Sequence, residues 1–410
     1  MKIRWITPLL GTAPAMSVIG KSGLYLIDVR DLVDKAGNRE EQVKEKILQG
    51  SESLRNGCKT IIGCDYGISR SNAIAAGVLA HFEGITLEAA VRKVLRATGE
   101  TEIKLAPLQA VRNALGENKP IFSKNKRRVL VTGSTGFLGV PIVLQLSSEF
   151  EVIAPKRADL DLQQGGTKLD LIAGESEVDC IVHCASPRVY TSNIALGCTL
   201  TMLRNVLDVC TTRNIHLVYL SSWEIYSGYR SNCLYADEQL PPLPKGPYGE
   251  TKYLCEILIE HARNTLGLRC GMLRSSPVYG AKGDKPKFIY NFIDKIRRSE
   301  PVMTHEYRNC KPALDLLYVD DLVAAVKQVV SAEFIGTLNV GTGVLTSTKS
   351  VAEMLMMLLG RQCKINSTQI DADIACIAMD SAKAGNTLGW RPGVCLEKGL
   401  LRIISSMDAP

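Results

Sequence analysis

Cys64, Arg70 and Ser71 stand in "GCDYGISRSN": a thiol, five intervening residues, then a guanidinium and a hydroxyl. This pattern suits phosphate chemistry. The Cys64 thiolate is the nucleophile, the Arg70 fork can bind two phosphate oxygens at once, and Ser71 can donate to the sulfur when it leaves. Gly67 permits the tight turn. A second pattern, "VLVTGSTGFLG", sets out Gly133, Gly136 and Gly139. Gly133 makes a turn, Gly136 lets the backbone approach a pyrophosphate and Gly139 lets helix and strand pack closely, so the expected ligand is a dinucleotide. A third set is Tyr248 and Lys252 in "PYGETKYLCE", one helical turn apart on one face. An ammonium there favours the phenolate, which lets Tyr248 work as acid or base near neutral pH.

Such groups need elements that hold them still. The Cys64 loop lies between the apolar strand "KTIIGC" and a helix opening near Ser71, so loop and first-turn N–H groups converge on an anion. A strand "LYLIDV" and a helix from about Arg39 to Leu54 precede it, and another helix begins near Thr86. "NALGENKPIFSKNKRR" then breaks the apolar periodicity. Beyond it, "RRVLVTG", "EVIAP", "CIVHCA", "HLVYLSS" and "RCGMLRSS" alternate with helices such as "LTMLRNVLDVCTTR" and "YLCEILIEHARNTL". This alternation predicts βαβ units and a parallel sheet covered on both faces. The fold class is α/β. The expected domains are 1–118, a linker over 119–126, and 127–405, whose substrate lobe, mainly after residue 280, is less regular.

Composition narrows the classes. The 410 residues suit two or three domains, and 46% hydrophobic with 22% charged residues suits large cores. A net charge of +7 fits anionic small molecules as well as nucleic acid and decides little; "KNKRR" is short and reads as hinge, and with no supporting motif no nucleic-acid binding is expected. The 13 cysteines form no CxxC pair and no Cys/His cluster, so the expectation is no metal site, reduced thiols and a cytoplasmic protein. No signal-peptide pattern and no run of 18 apolar residues occurs, so no membrane span is expected.

Residues 1 to about 115 resemble the dual-specificity branch of the Cys-dependent protein tyrosine phosphatases, whose loop reads HCxxGxxRS. "GITLEAAVRKVLR" and "APLQAVRNAL" look like that family's closing helices. The resemblance implies a general acid roughly thirty residues before the cysteine, among Asp28, Asp31 and Asp34, with Asp31 preferred. The family's loop histidine is replaced by Gly63, and the segment before Cys64 is short.

Residues 127 to 405 resemble the extended short-chain dehydrogenase/reductases, in particular nucleotide-sugar epimerases and dehydratases. "TGSTGFLG", "DCIVHCAS", "YLSSWEIYSG", "PYGETKYLCE", "LRSSPVYG", "LDLLYVDDLVAAV", "LNVGTG" and "LGWRPG" follow in that family's order. The resemblance implies that Ser222, preferred over Ser221 by its register to Tyr226, bonds the substrate oxygen while a hydride moves between sugar and nicotinamide. Glu224 stands where dehydratases of the family often keep an acid, as an added acid/base group or a structural carboxylate. The cofactor contacts implied are Thr135, Phe137 and Leu138 with the three glycines, Cys184 and Ala185, Tyr248 and Lys252, and Pro277 and Val278. Lys156 and Arg157 stand where NAD binders keep an acid, which points to NADP, with NAD as the alternative. Asp161 and Leu162 would flank the adenine. Leu314 replaces the arginine of the family's RDFxYVDD. The substrate implied is a small phosphorylated or nucleotide-linked sugar, and many members are homodimers. Two sites in one chain imply a bifunctional enzyme, an oxidoreductase, epimerase or dehydratase joined to a phosphatase (a hydrolase); the alternative is a first domain that only binds phosphate or regulates.

Overall fold

The computed structural model describes residues 3–116, 126–187, 192–281 and 287–408. The linker expected at 119–126 lies, apart from Lys126, outside the described residues. The chain divides into two compact units. One comprises Met1–Asn125 with Leu160–Val178 and Asp208–Arg213; the other comprises Lys126–Asp159, Asp179–Leu207 and Asn214–Pro410.

In the first unit, strands β1 (Arg4–Trp5), β2 (Leu10–Pro14), β3 (Tyr25–Asp28) and β4 (Thr60–Cys64) form one sheet in the order β1-β2-β4-β3. β4 runs parallel to both neighbours. Helices α1 (Glu40–Arg55), α2 (Arg70–Glu83), α3 (Leu87–Thr98) and α4 (Leu105–Ala114) complete the main body. α3 shows why the sequence is legible here: Leu87, Ala90, Val91 and Val94 recur at helical spacing and are all buried. Thr86 caps it by accepting from Ala89 N at 3.3 Å. β4 is buried at every residue, and Gly63 packs so closely that a Cβ would lie 2.9 Å from Ala15 Cα and 2.8 Å from Leu26 Cδ1. No histidine fits at that position. The two later segments, the first of which carries α6 (Thr167–Glu175), are tied in by charge. Arg112 Nη2 reaches Asp170 at 2.9 Å and Arg213 Nε reaches the same carboxylate at 2.5 Å.

In the second unit, β5 (Arg128–Thr132), α5 (Gly139–Leu146), β6 (Glu151–Ile153), β7 (Cys180–His183), β8 (His216–Ser222), α8 (Pro247–Leu266) and β10 (Cys270–Ser275) build the expected parallel sheet. Its order is β6-β5-β7-β8-β10 and then Gly336–Val340, each pair parallel. Val129, Val131, Val182, Val218 and Leu273 are fully buried, as a sheet covered on both faces requires. The chain leaves β5 toward β6 on one side while β7 lies on the other, so the crevice at the C-terminal end of β5 is the topological switch point.

The less regular lobe expected after residue 280 needs correction. Gly336–Val340 completes the central sheet, and helices Val319–Ala332, Thr348–Leu359 and Leu396–Asp408 contribute to the same buried core as β5. The order is hidden there because Leu338, Asn339 and Val340 of this edge strand are buried in succession, so its short run carries a polar residue inside and shows no alternation. A small outlying part does exist: β9 (Ser231–Ala236) pairs with Ala375–Met379 over its own cluster of Ile225, Tyr226, Ala236, Ile377 and Met379. Among the described residues one helix, α7 (Asn193–Arg213), is long and apolar enough by length and composition to cross a membrane; Leu203, Val206, Val209 and Cys210 on it are buried within the protein.

Candidate functional site

The cysteine loop is built at the end of β4, where the strand hands over to α2. Cys64 is 2% exposed. Gly67 N–H donates to its Sγ at 3.0 Å, and Ser71 Oγ lies 3.5 Å away. Burial pushes the thiol up, but Ser71, through hydroxyl and backbone, and the backbone N–H groups of Ile68 and Gly67 outweigh it, and the net shift is downward. Gly67 has φ +70°, and a Cβ there would collide with the main chain of Ala13, so the loop requires glycine. Arg70 Nη1 donates to Leu32 O at 2.7 Å and Arg30 O at 3.3 Å, Nη2 binds Asp65, and Nε lies 3.6 Å from Asp34 Oδ1.

The three candidate acids are placed differently. Asp28 is paired with Arg30, and that hydrogen bond holds its carboxyl below the usual carboxylate range despite partial burial. Asp31 accepts from Gln42 Nε2 at 2.8 Å and lies 3.2 Å from Lys46 Nζ. Asp34 faces Arg70 and Lys104. An open pocket of about 520 Å³ beside the loop is lined by Asp28, Arg30, Asp31, Lys46 and Asp65.

The glycine loop of the second unit follows β5 directly. Gly133 has φ +66°, and a Cβ there would sit 2.7 Å from Ala185 N; one on Gly139 would collide with Gly133 O. Both positions therefore exclude side chains, and α5 starts immediately against the turn. This cradle fits a dinucleotide pyrophosphate. Thr132 ties it to the next strand: its Oγ1 accepts from Ala185 N at 3.3 Å and lies 2.8 Å from His183 Nδ1. Burial drives His183 down to about 3, so the imidazole is neutral and structural. Cys184 is also held protonated, its thiol pushed by burial up to about 12. Ser134 Oγ donates to Pro155 O at 3.0 Å, which brings the end of β6 to the loop one residue before the exposed pair Lys156 and Arg157. Thr135 is exposed, and Phe137 and Leu138 are half-buried. Phe137 Cζ is 3.6 Å from the Cβ position of Gly280, which places the stretch after Pro277 and Val278 beside the loop. Asp161 and Leu162 open a short 3-10 helix grouped with the first unit.

Tyr248 and Lys252 share one face of α8. Lys252 Nζ donates to Leu220 O at 2.7 Å and stands 5.8 Å from the Tyr248 ring centre. Burial holds its ammonium below the ordinary lysine value. Sequence reasoning missed the groups that anchor this helix. Glu256, one turn beyond Lys252, is gripped by Arg274 Nη2 at 2.7 Å and accepts from Ser221 Oγ at 2.5 Å. Arg274 also donates to Tyr226 OH at 2.7 Å. Ser221 is thus committed to α8. Ser222, on the opposite face of β8, accepts from Glu224 N at 3.2 Å and does not share that network. The spacing Lys252 to Glu256 is a visible helical repeat, but its arginine lies on another strand.

Two further carboxylates are structural. Asp315, fully buried, accepts from Thr342 N at 2.8 Å, Gly343 N at 3.0 Å and Met379 N at 3.0 Å; Asp321 accepts from Gly393 N at 2.9 Å and Val394 N at 3.1 Å. They explain why "LDLLYVDD" and "GTG" or "RPG" occur together. Leu314 lies in Ala313–Asp315, opposite Thr346.

Burial raises the Glu224 carboxyl above its usual range. A raised folded-state pKa favours the protonated protein, so this contribution to stability is full below the unfolded value and lost as pH rises through the folded one. Glu224→Gln therefore gains stability relative to wild type on going from pH 4 to pH 7.5, read as the difference in urea midpoints at the two pH values. A gap independent of pH would mean that the carboxyl is not desolvated.

Among known proteins, the chain is 28% identical to the UDP-glucuronate 4-epimerase of Thermodesulfobacterium geofontis over 242 residues, covering 56% of this chain and 72% of the relative. It is 25% identical to the dTDP-4-dehydro-6-deoxyglucose reductase of Escherichia coli over 319 residues, covering 69% and 98%. Among solved structures, the UDP-glucose 4-epimerase of Thermus thermophilus in complex with NAD superposes with a TM-score of 0.61 at 23% identity, over 69% of this chain and 99% of that one. RMD from Pseudomonas aeruginosa complexed with NADPH gives 0.61 at 20% identity, over the same shares. These two establish the α/β Rossmann-like fold. The model of the NAD dependent epimerase/dehydratase family matches residues 129–341, just over half of the chain and the whole run from the glycine loop to the end of the sheet. The chain belongs to the NAD dependent epimerase/dehydratase family.

Proposed function

We propose that the second unit epimerises, dehydrates or reduces a nucleotide-linked sugar with NADP, or with NAD as the alternative, and that the first unit is a Cys-dependent phosphatase for a related phosphorylated sugar. The observation that carries the first half is the Lys252 ammonium, fixed on Leu220 O at the end of β8 and one turn from Tyr248. Lys252 stabilises the Tyr248 phenolate, Tyr248 moves the proton of the sugar hydroxyl, and Ser222 bonds the same oxygen. A bound nicotinamide supplies the hydride acceptor. The named activities of the two sequence relatives support this class of substrate.

For the first unit, support comes from the lowered Cys64 thiol and the Gly67 and Ser71 contacts. The thiolate attacks phosphorus, a P–S bond forms as the ester P–O bond breaks, and Asp31 or Asp34 protonates the leaving oxygen. Water then cleaves the P–S bond and releases phosphate. A second reading, a phosphate-binding module without turnover, is favoured by one observation: Arg70 is already held by Asp65.

The cofactor half is tested by equilibrium binding of NADPH and NADH to wild type and to the Lys156→Ala/Arg157→Ala variant. The expected result is a preference for NADPH of about tenfold, the size of one or two exposed charge contacts to phosphate, which the double substitution removes. A preference for NADH in both proteins would overturn the NADP assignment.

A further inference from the structure

Resting on the phosphate reading of the Cys64 loop, we infer that Asp65 is a built-in competitor for the anion and restricts the site to monophosphate esters of uncharged alcohols. Two of the three Arg70 nitrogens form the free edge of its fork, because Nη1 is committed to the main-chain carbonyls of Leu32 and Arg30. That free edge, Nε and Nη2, is the one able to take two phosphate oxygens. It faces carboxylates instead: Nη2 binds Asp65, and Nε, buried and without a hydrogen-bond partner among the described residues, lies 3.6 Å from Asp34 Oδ1. The Arg70 side chain is 11% exposed and cannot swing away, whereas the Asp65 side chain is 53% exposed and can. An entering phosphate therefore displaces Asp65, and the released carboxylate stays at the rim of the loop.

The surroundings then decide which esters are tolerated. Arg30 is paired with Asp28, Lys46 with Asp31 and Lys104 with Asp34. Among the described residues named at this mouth, each cation already has a carboxylate. A second phosphate or an acidic neighbour on the substrate meets Asp65, Asp28 and Asp31 with no free cation to offset them. Uncharged hydroxyls donate to the same carboxylates at no such cost. The class selected is a singly phosphorylated polyol or sugar, and diphosphates are disfavoured.

The test follows Cys64 alkylation by iodoacetamide, located by peptide mass mapping, in the full-length protein, with inorganic phosphate or pyrophosphate as protectant. In wild type, phosphate is expected to protect at lower concentration than pyrophosphate. Asp65→Asn should lower the half-protecting concentration of phosphate about two- to fivefold, the size of an exposed ion pair, and that of pyrophosphate by more. Asp65→Ala, which removes the side chain altogether, should do the same. Protection by phosphate that neither substitution changes would overturn the role of Asp65 and leave the phosphate site standing. Absence of protection in all three proteins would overturn both.

Discussion

Tyr248→Phe lowers turnover of a nucleotide-linked hexose by about 10²- to 10⁴-fold, the range spanned by a positioned acid or base, with cofactor binding retained. The phenolic oxygen is the only atom removed, and the helix that carries it is anchored elsewhere, through Glu256 to Arg274 and Ser221. The loss should therefore fall on kcat, measured by product analysis of UDP- and dTDP-linked hexoses, while NADPH titrates as in wild type. Lys252→Met should act through the same step but also loosen α8 from β8, because Nζ donates to Leu220 O at 2.7 Å. A Tyr248→Phe protein within threefold of wild type would remove Tyr248 from the proton path and leave the family fold with a different chemistry.

The second large effect is at the other site. Cys64→Ser abolishes hydrolysis of an aryl phosphate, a loss of at least about 10³-fold, while sugar conversion is unchanged because the two sites share no residue. The pH dependence of Cys64 alkylation checks the cause. Its thiol is lowered from the ordinary thiol value, so the thiolate persists to lower pH and alkylation sets in at lower pH than for a small free thiol in solution. Ser71→Ala removes the hydroxyl 3.5 Å from Sγ and shifts that onset to higher pH. Equal onsets at Cys64 and at the free thiol would show that the loop does not stabilise the anion. Hydrolysis absent from wild type, with Cys64 still unusually reactive, would favour the binding-module reading.

The patterns legible in the sequence are those set by neighbours along the chain. The glycine spacing after β5, the thiol-to-guanidinium interval after β4 and the four-residue step from Tyr248 to Lys252 follow from turn and helix geometry alone. They place the right groups at a strand end and on a helix face. The placement of Gly133 shows how far such reasoning reaches: its φ of +66° and its close approach to Ala185 make glycine the only residue type that fits. Gly63 shows where it stops. Its departure from the expected histidine is visible in the string, but the reason, contact with Ala15 and Leu26, is not.

By itself, then, the sequence determined the α/β class, the glycine and cysteine loops at two strand ends and the Tyr248–Lys252 face, because each depends on local backbone rules. Tertiary structure alone decided which serine is committed to α8, which acid faces Arg70, and that residues beyond 280 complete the central sheet. Ser221 and Ser222 differ only in which side of β8 meets Glu256 and Arg274. Asp34 rather than Asp31 lies against the guanidinium because the chain folds back from Leu32 to α2. Gly336–Val340 joins β10 by burial of Leu338 and Val340 in a core that also holds Leu273 and reaches back to Val129 and Val131 of β5. Such partners are chosen by packing and charge across the fold, and no spacing along the chain records them.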